Sequence, residues 1–251
     1  ALASCIGECV ERLSQIERPG DIVGERTFAE AGRQSMRTAA SLIEGLLRDG
    51  VPVTQPTPGR SSTGVMLDGT LDVRKIGFKG TWRGNGARRS LTLLNKAPGN
   101  NAMSLFTSDW GRTTPRVDGS VAAVLSEFPP AAPNVDIEAT VTSTVSNARV
   151  GIPAGSAVLV ARGTAASRLQ AEAPVGQTVT LRLILTPDWA QVSDAIGGGP
   201  LLVQSGKPVF RANETFSSSQ LVPRGPRTGV GQRADGSVLF VATDGRQPGY
   251  S

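Results

Sequence analysis

Apolar and polar positions follow two different periods along this 251-residue chain. Before residue 50 the spacing is helical. Met36, Ala39, Leu42, Ile43, Leu46 and Leu47 fall near one face of a helix over 35–48, which Asp49-Gly50 ends. Residues 50–62 are rich in proline, glycine and serine (Pro52, Pro56, Pro58, Gly59) and read as a linker. From Thr63 onward the period changes to two. Thr63–Leu67 and Thr70–Phe78 form a hairpin across Asp68-Gly69, for which the dipeptide predicts a type I′ turn. Further strands are predicted over 90–94, 102–107, 120–128, 135–146, 157–161 and 177–185. Two more hairpins follow, one across Ser205-Gly206 and one joining 227–233 to 237–243 across Asp235-Gly236. Short helical stretches are expected at 163–171 and 188–196. The pattern gives an α+β chain, mainly antiparallel β with a few short helices. Its organisation reads as a helical segment over 1–49, a linker over 50–62 and a β-rich domain over 63–251.

Composition narrows the chemistry. With 30 Gly, 17 Pro and 39% hydrophobic residues, the chain suits a turn-rich β protein with a sizeable core. Aromatics make up only 4%, too few for base- or sugar-stacking platforms. The net charge of +5 comes from scattered arginines, densest at Arg83, Arg88 and Arg89. That scatter argues against nucleic acid as a partner. There is no histidine, which excludes a His general base, a Ser-His-Asp triad and a His-ligated zinc site. Cys5 and Cys9 could share a helix face, either as a disulfide or as two inert thiols. No apolar run is long enough for a transmembrane helix, and no signal peptide is visible.

Candidate chemistry gathers in the last third. Gly197-Gly198-Gly199-Pro200 permits close backbone approach, although a sharp turn before a strand explains it equally well. Arg227 and Thr228 open a strand, where a guanidinium beside a hydroxyl can clamp a phosphate or a sugar oxygen. Asp244-Gly245-Arg246 follows an apolar strand, and a carboxylate held near an arginine stays ionised. A surface Asp-Gly turn is the plain alternative. Tyr250 is the only tyrosine, and Ser251 follows it. Leu221–Gly225 matches a thrombin linker, but its flanks run into strand-like sequence on both sides.

Taken together, residues 196–251 resemble the phosphodiester glycosidase family, which includes the N-acetylglucosamine-1-phosphodiester α-N-acetylglucosaminidase and bacterial extracytoplasmic relatives. Arg48–Val53 and the hairpin 64–78 extend the resemblance. It implies a hydrolase acting on a sugar-1-phosphodiester, a glycan or sugar-phosphate substrate and an extracytoplasmic location. It calls for no organic cofactor and leaves a divalent metal open. Asp244 and Arg246 become the catalytic candidates. Arg227, Thr228, Gly198, Gly199, Tyr250 and Ser251 become the substrate-binding candidates. Family members carry an Asn-Gly-Asp-Phe-Phe-like strand before the Arg-Asp-Gly position and an Asp-Gly-Gly-Gly-Ser-Ser-like motif after Gly-Tyr-Ser. Neither occurs here, so the expectation is a truncated domain with little activity. The alternatives are a non-catalytic carbohydrate- or cell-wall-binding β module, a basic nucleic-acid binder and a metal-dependent phosphodiesterase.

Overall fold

The computed structural model describes residues 45–188, 190–209, 214–218, 222 and 227–243. In chain order the strands are β1 (Gly45–Arg48), β2 (Val51–Pro52), β3 (Ser61–Met66), β4 (Leu71–Lys75), β5 (Gly77–Arg83), β6 (Arg89–Leu91) and β7 (Leu93–Leu94). Next come β8 (Met103–Phe106), β9 (Ser120–Ser126), β10 (Asp136–Ser146), β11 (Ala157–Arg162) and the helix α1 (Thr164–Glu172). The last are β12 (Thr178–Thr186), β13 (Val192–Gly197), β14 (Val203–Gln204), β15 (Lys207–Pro208), β16 (Arg227–Gln232) and β17 (Val238–Thr243). The described chain is mostly β, as the alternating pattern predicts.

Two compact units are present. One draws on 45–49, 56–76 and the described residues from Gln191 onward; the other comprises Gly50–Gln55 and Gly77–Ala190.

In the second unit eight strands run in the order β6-β5-β12-β10-β9-β11-β8-β7. The two edges, β6 and β7, are separated in sequence only by Thr92. Thr92 donates from both its amide and its hydroxyl to Met103 O, at 3.1 and 2.8 Å. The sheet therefore nearly closes on itself. Closure hides most of the edge backbone, which would otherwise invite pairing with another chain. Alternation sets the inward face: Ile137, Ala139 and Val141 of β10 are buried, whereas Asp136 and Glu138 are exposed. Trp82, Leu91, Leu105, Leu125, Leu159, Leu181 and Leu183 belong to the same core. β11 is buried on both faces, because Val158 and Val160 join Phe106, Ala122 and Ile152 in a separate apolar cluster. That double burial is why Ala157–Ala161 reads as an unbroken apolar run. Helix α1 seals the core with Ala166 and Leu169. Its N-terminus is capped from a distant loop, where Asn101 Oδ1 accepts from the Thr164 amide at 2.9 Å and the Thr164 hydroxyl at 3.2 Å.

In the first unit β13 lies between β1 and β3, and β4 pairs on the far side of β3, all antiparallel. Three expectations are corrected here. Gly45–Arg48 is a strand, not the end of a helix. Leu46 and Leu47 are both buried, and a short apolar run cannot distinguish a helix from a doubly covered strand. The helix expected over 188–196 is instead strand β13. Its Ala195 and Ile196 are completely buried between two neighbouring strands, and that packing overrides local propensity. The turn at Asp68-Gly69 is not type I′, because only Gly69 has positive φ (86°). Met66 N donates to Thr70 O and Gly69 N to Met66 O, which makes a three-residue loop ending in a left-handed glycine. Asp235-Gly236 repeats it: Arg233 N donates to Ser237 O, Gly236 N to Arg233 O, and Gly236 has φ 86°. A genuine pair of positive φ values occurs at Ser205-Gly206, which joins β14 to β15.

Candidate functional site

The glycine run leaves the C-terminal end of β13, and its position is fixed from β3. Gly198 N donates to Ser61 O at 3.0 Å. Gly199 has φ 129°, a region that favours glycine. A Cβ there would lie 2.7 Å from Glu214 Oε2 and 2.8 Å from the Phe216 ring. The close approach expected of this glycine is therefore made by residues of the same unit.

Glu214 organises the loop. It is buried, and both carboxylate oxygens are engaged. Oε2 accepts from Ser61 N at 2.8 Å; Oε1 accepts from the Ser61 hydroxyl at 2.9 Å and from Leu201 N at 2.8 Å. Its neighbours run alongside 59–60: Thr215 N donates to Gly59 O at 3.1 Å, and Arg60 Nε donates to Thr215 O at 2.9 Å. The Arg60 guanidinium lies over the Phe216 ring, 4.3 Å from its centroid. A buried carboxylate is tolerated only when its oxygens are hydrogen-bonded, and three donors reach them here. Elsewhere in the unit, Asp194 on β13 is buried, and its Oδ1 accepts from Asp49 N at 3.4 Å.

The hairpin β16–β17 carries the arginine–threonine pair. Its register sets Arg227 opposite Thr243 and Thr228 opposite Ala242. Asp244 directly follows Thr243 in sequence. The Asp235-Gly236 turn caps the opposite end, about 17 Å away at ~3.4 Å per residue. There Gln232 Oε1 accepts from Leu71 N at 3.0 Å, tying the hairpin to β4. Asp235 accepts from Ser237 N, and this backbone hydrogen bond is the main reason its carboxyl titrates below the usual range. The Thr70 hydroxyl and amide do the same for Asp68, with the hydroxyl the larger influence.

Of the sequence candidates, Gly198 and Gly199 sit in the loop held by Glu214, and Arg227 and Thr228 sit at the open end of the hairpin. Asp244, Arg246, Tyr250 and Ser251 lie outside the described residues, as do Cys5, Cys9 and the helical stretch 35–44. Sequence reasoning missed Glu214 and Ser61. The available signal was a lone acidic residue between the glycine run and the hairpin, and nothing in it indicates burial. Among the described residues, no group of three or more His, Cys, Asp or Glu is placed to hold a metal ion, and no helix is long and apolar enough to cross a membrane.

Comparisons with known proteins follow this geometry. Residues 132–251 match the family model for phosphodiester glycosidase, which bears out the resemblance read from the sequence. No curated protein matches the chain. Among solved structures, a hypothetical protein from Synechocystis is similar, with a TM-score of 0.65 and 20% identity over 79% of this chain and 36% of that one. A candidate exported protein from Burkholderia pseudomallei K96243 is also similar, with a TM-score of 0.57 and 16% identity over 81% of this chain and 49% of that one. At these identities the likeness concerns the fold. The chain spans less than half the length of either structure.

Proposed function

We propose, from the match of residues 132–251 to phosphodiester glycosidases, that this protein hydrolyses the glycosidic bond of a sugar-1-phosphodiester, within a domain reaching from 63 to 251. The observation that most supports this reading is the register of β16 against β17. It sets Arg227 across from Thr243, the residue that precedes Asp244 in sequence. A phosphate ester is a weakly basic leaving group and needs little proton donation. Stabilising its charge then matters more. In this reading Arg227 and Arg246 grip the phosphate, and Thr228, Tyr250 and Ser251 orient sugar or phosphate oxygens. Asp244 serves as one of the two carboxylates glycosidases ordinarily use. The loop at Gly198 and Gly199, locked by Glu214, forms a rigid wall. An extracytoplasmic location accords with the family resemblance and with the export candidate among the similar structures.

The test is hydrolysis of a sugar-1-phosphodiester by the full-length protein. Asp244→Ala and Arg246→Ala should each lower turnover at least about a hundredfold, equivalent to ~2.7 kcal/mol in barrier height. Wild-type rates in both variants would remove these roles. Saturable glycan binding without any turnover, unaffected by Asp244→Ala, would instead make the protein a binding module.

A further inference from the structure

The second unit contains a cavity of about 600 Å³ on the face of β5 and β12 turned away from the main core. That volume lies within the range of small-molecule sites. Thr81, Arg88, Asn134, Arg182, Ile184 and Asp188 line it. The two arginines come from separate elements: Arg182 from the middle of β12, Arg88 from the segment between β5 and β6.

Each guanidinium is oriented by a neutral acceptor. Arg88 Nη1 donates to Thr81 Oγ1 at 3.1 Å, and Arg182 Nη2 donates to Asn134 O at 2.7 Å. Neutral acceptors fix the direction of the fork without cancelling its charge. Asn134 is itself held rigid. It has φ 63°, its Oδ1 accepts from Leu185 N at 3.1 Å, and its Nδ2 donates to Asp188 Oδ1 at 3.0 Å. Both arginines face a single carboxylate, Asp136, at 3.4 Å from Arg88 Nη2 and 3.8 Å from Arg182 Nη1. Neither contact has the short, paired geometry of a committed arginine–carboxylate bridge. Asp188 already accepts from Asn134 at the rim. Two half-exposed guanidinium groups thus share Asp136 loosely beside the cavity, whose lining adds the carboxylate of Asp188. Most of their N–H donors are free of any close acid, and Ile184 supplies an aliphatic floor.

We propose that this cavity binds an oxyanion, the carboxylate or phosphomonoester of a small polar ligand, between Arg88 and Arg182, displacing the loosely held carboxylate of Asp136 beside it. The ligand takes the bidentate positions that Asp136 occupies only loosely. Asp136 meanwhile keeps the empty site from carrying two unscreened like charges. The assignment is independent of the glycosidase reading, because none of these residues belongs to that proposed site.

Calorimetric titration of the full chain with glucose 6-phosphate, glucuronate, inorganic phosphate and uncharged glucose tests it. Saturable binding of at least one anionic probe is expected, and none of glucose. Arg88→Ala/Arg182→Ala should weaken that binding about tenfold or more, while thermal melting verifies the fold. Asp136→Asn should tighten it several-fold, since the competing carboxylate is gone. Comparing glucose 6-phosphate with glucuronate decides which oxyanion is preferred, and inorganic phosphate shows whether the charge alone suffices. Three outcomes would overturn the proposal: no binding of any anionic probe at millimolar concentration, equal binding of glucose, or binding unchanged in the double-arginine variant. Asp136→Asn weakening the interaction would refute the displacement itself.

Discussion

Glu214 concentrates the consequences of a single side chain. A carboxylate 5% exposed is costly unless both of its oxygens find donors, and here two amides and one hydroxyl supply them. Glu214→Ala would strand the Ser61 and Leu201 amides and lower stability by about 3 kcal/mol, read from urea unfolding. Glu214→Gln keeps the shape but turns an NH2 group toward at least one existing donor. It should cost about 1–2 kcal/mol, less than alanine but clearly above zero. Gly199→Ala attacks the same contact from the other side. Its Cβ would meet Glu214 and Phe216 at a φ that side chains rarely adopt, so it should destabilise comparably.

Among the elements, α1 shows how a helix end can fix a loop. Asn85 N donates to Glu172 O at 2.8 Å, and Arg89 Nε reaches both carboxylate oxygens of Glu172 at 3.1 and 3.0 Å. Gly84 lies against the Glu172 carbonyl, where a Cβ has no room and the backbone cannot yield as a flexible side chain could. Gly84→Ala should therefore cost about 2–3 kcal/mol by chemical denaturation. The hydrogen bond from Arg89 is the main reason the Glu172 carboxyl titrates below its ordinary value. A depressed acid stabilises the fold above its unfolded pKa, about 4.3 for glutamate, and that stability disappears as pH falls through the lower folded value. Melting temperature measured between pH 6 and pH 3 should show this loss. Arg89→Met should flatten that part of the profile while lowering stability at pH 6.

For the molecule as a whole, the chain visits the first unit, passes briefly through the second, returns, and then completes each in turn. The central pairings are consequently long-range, with Gly80 of β5 opposite Leu183 of β12 and Thr63 of β3 opposite Ile196 of β13. Such topology implies slow folding, since loop closure precedes most of the stabilising contact. Trp82 is the largest of the fully buried side chains in the second unit's core. Trp82→Ala should remove about 3–5 kcal/mol, measured as a shift in denaturation midpoint.

Much of this protein follows from local sequence alone. Period-two alternation predicted the strands at 120–128, 135–146 and 177–185, because a pleat with one wet face declares itself in its own side chains, and an unbroken apolar run predicted the buried strand at 157–161. Glycine positions marked the hairpins, and the family resemblance was legible in the run that ends at Ser251. Tertiary structure decided the rest. At 45–48 and within 188–196 the apolar spacing suited a helix, and only pairing with neighbouring strands made each a strand. The exact form of the Asp-Gly loops depended on the register of the strands they join. Glu214 and the cavity lined by Arg88 and Arg182 were invisible for the same reason. Desolvation and charge pairing depend on which surfaces meet, and residues dozens of positions apart do not show that until the chain has closed on itself.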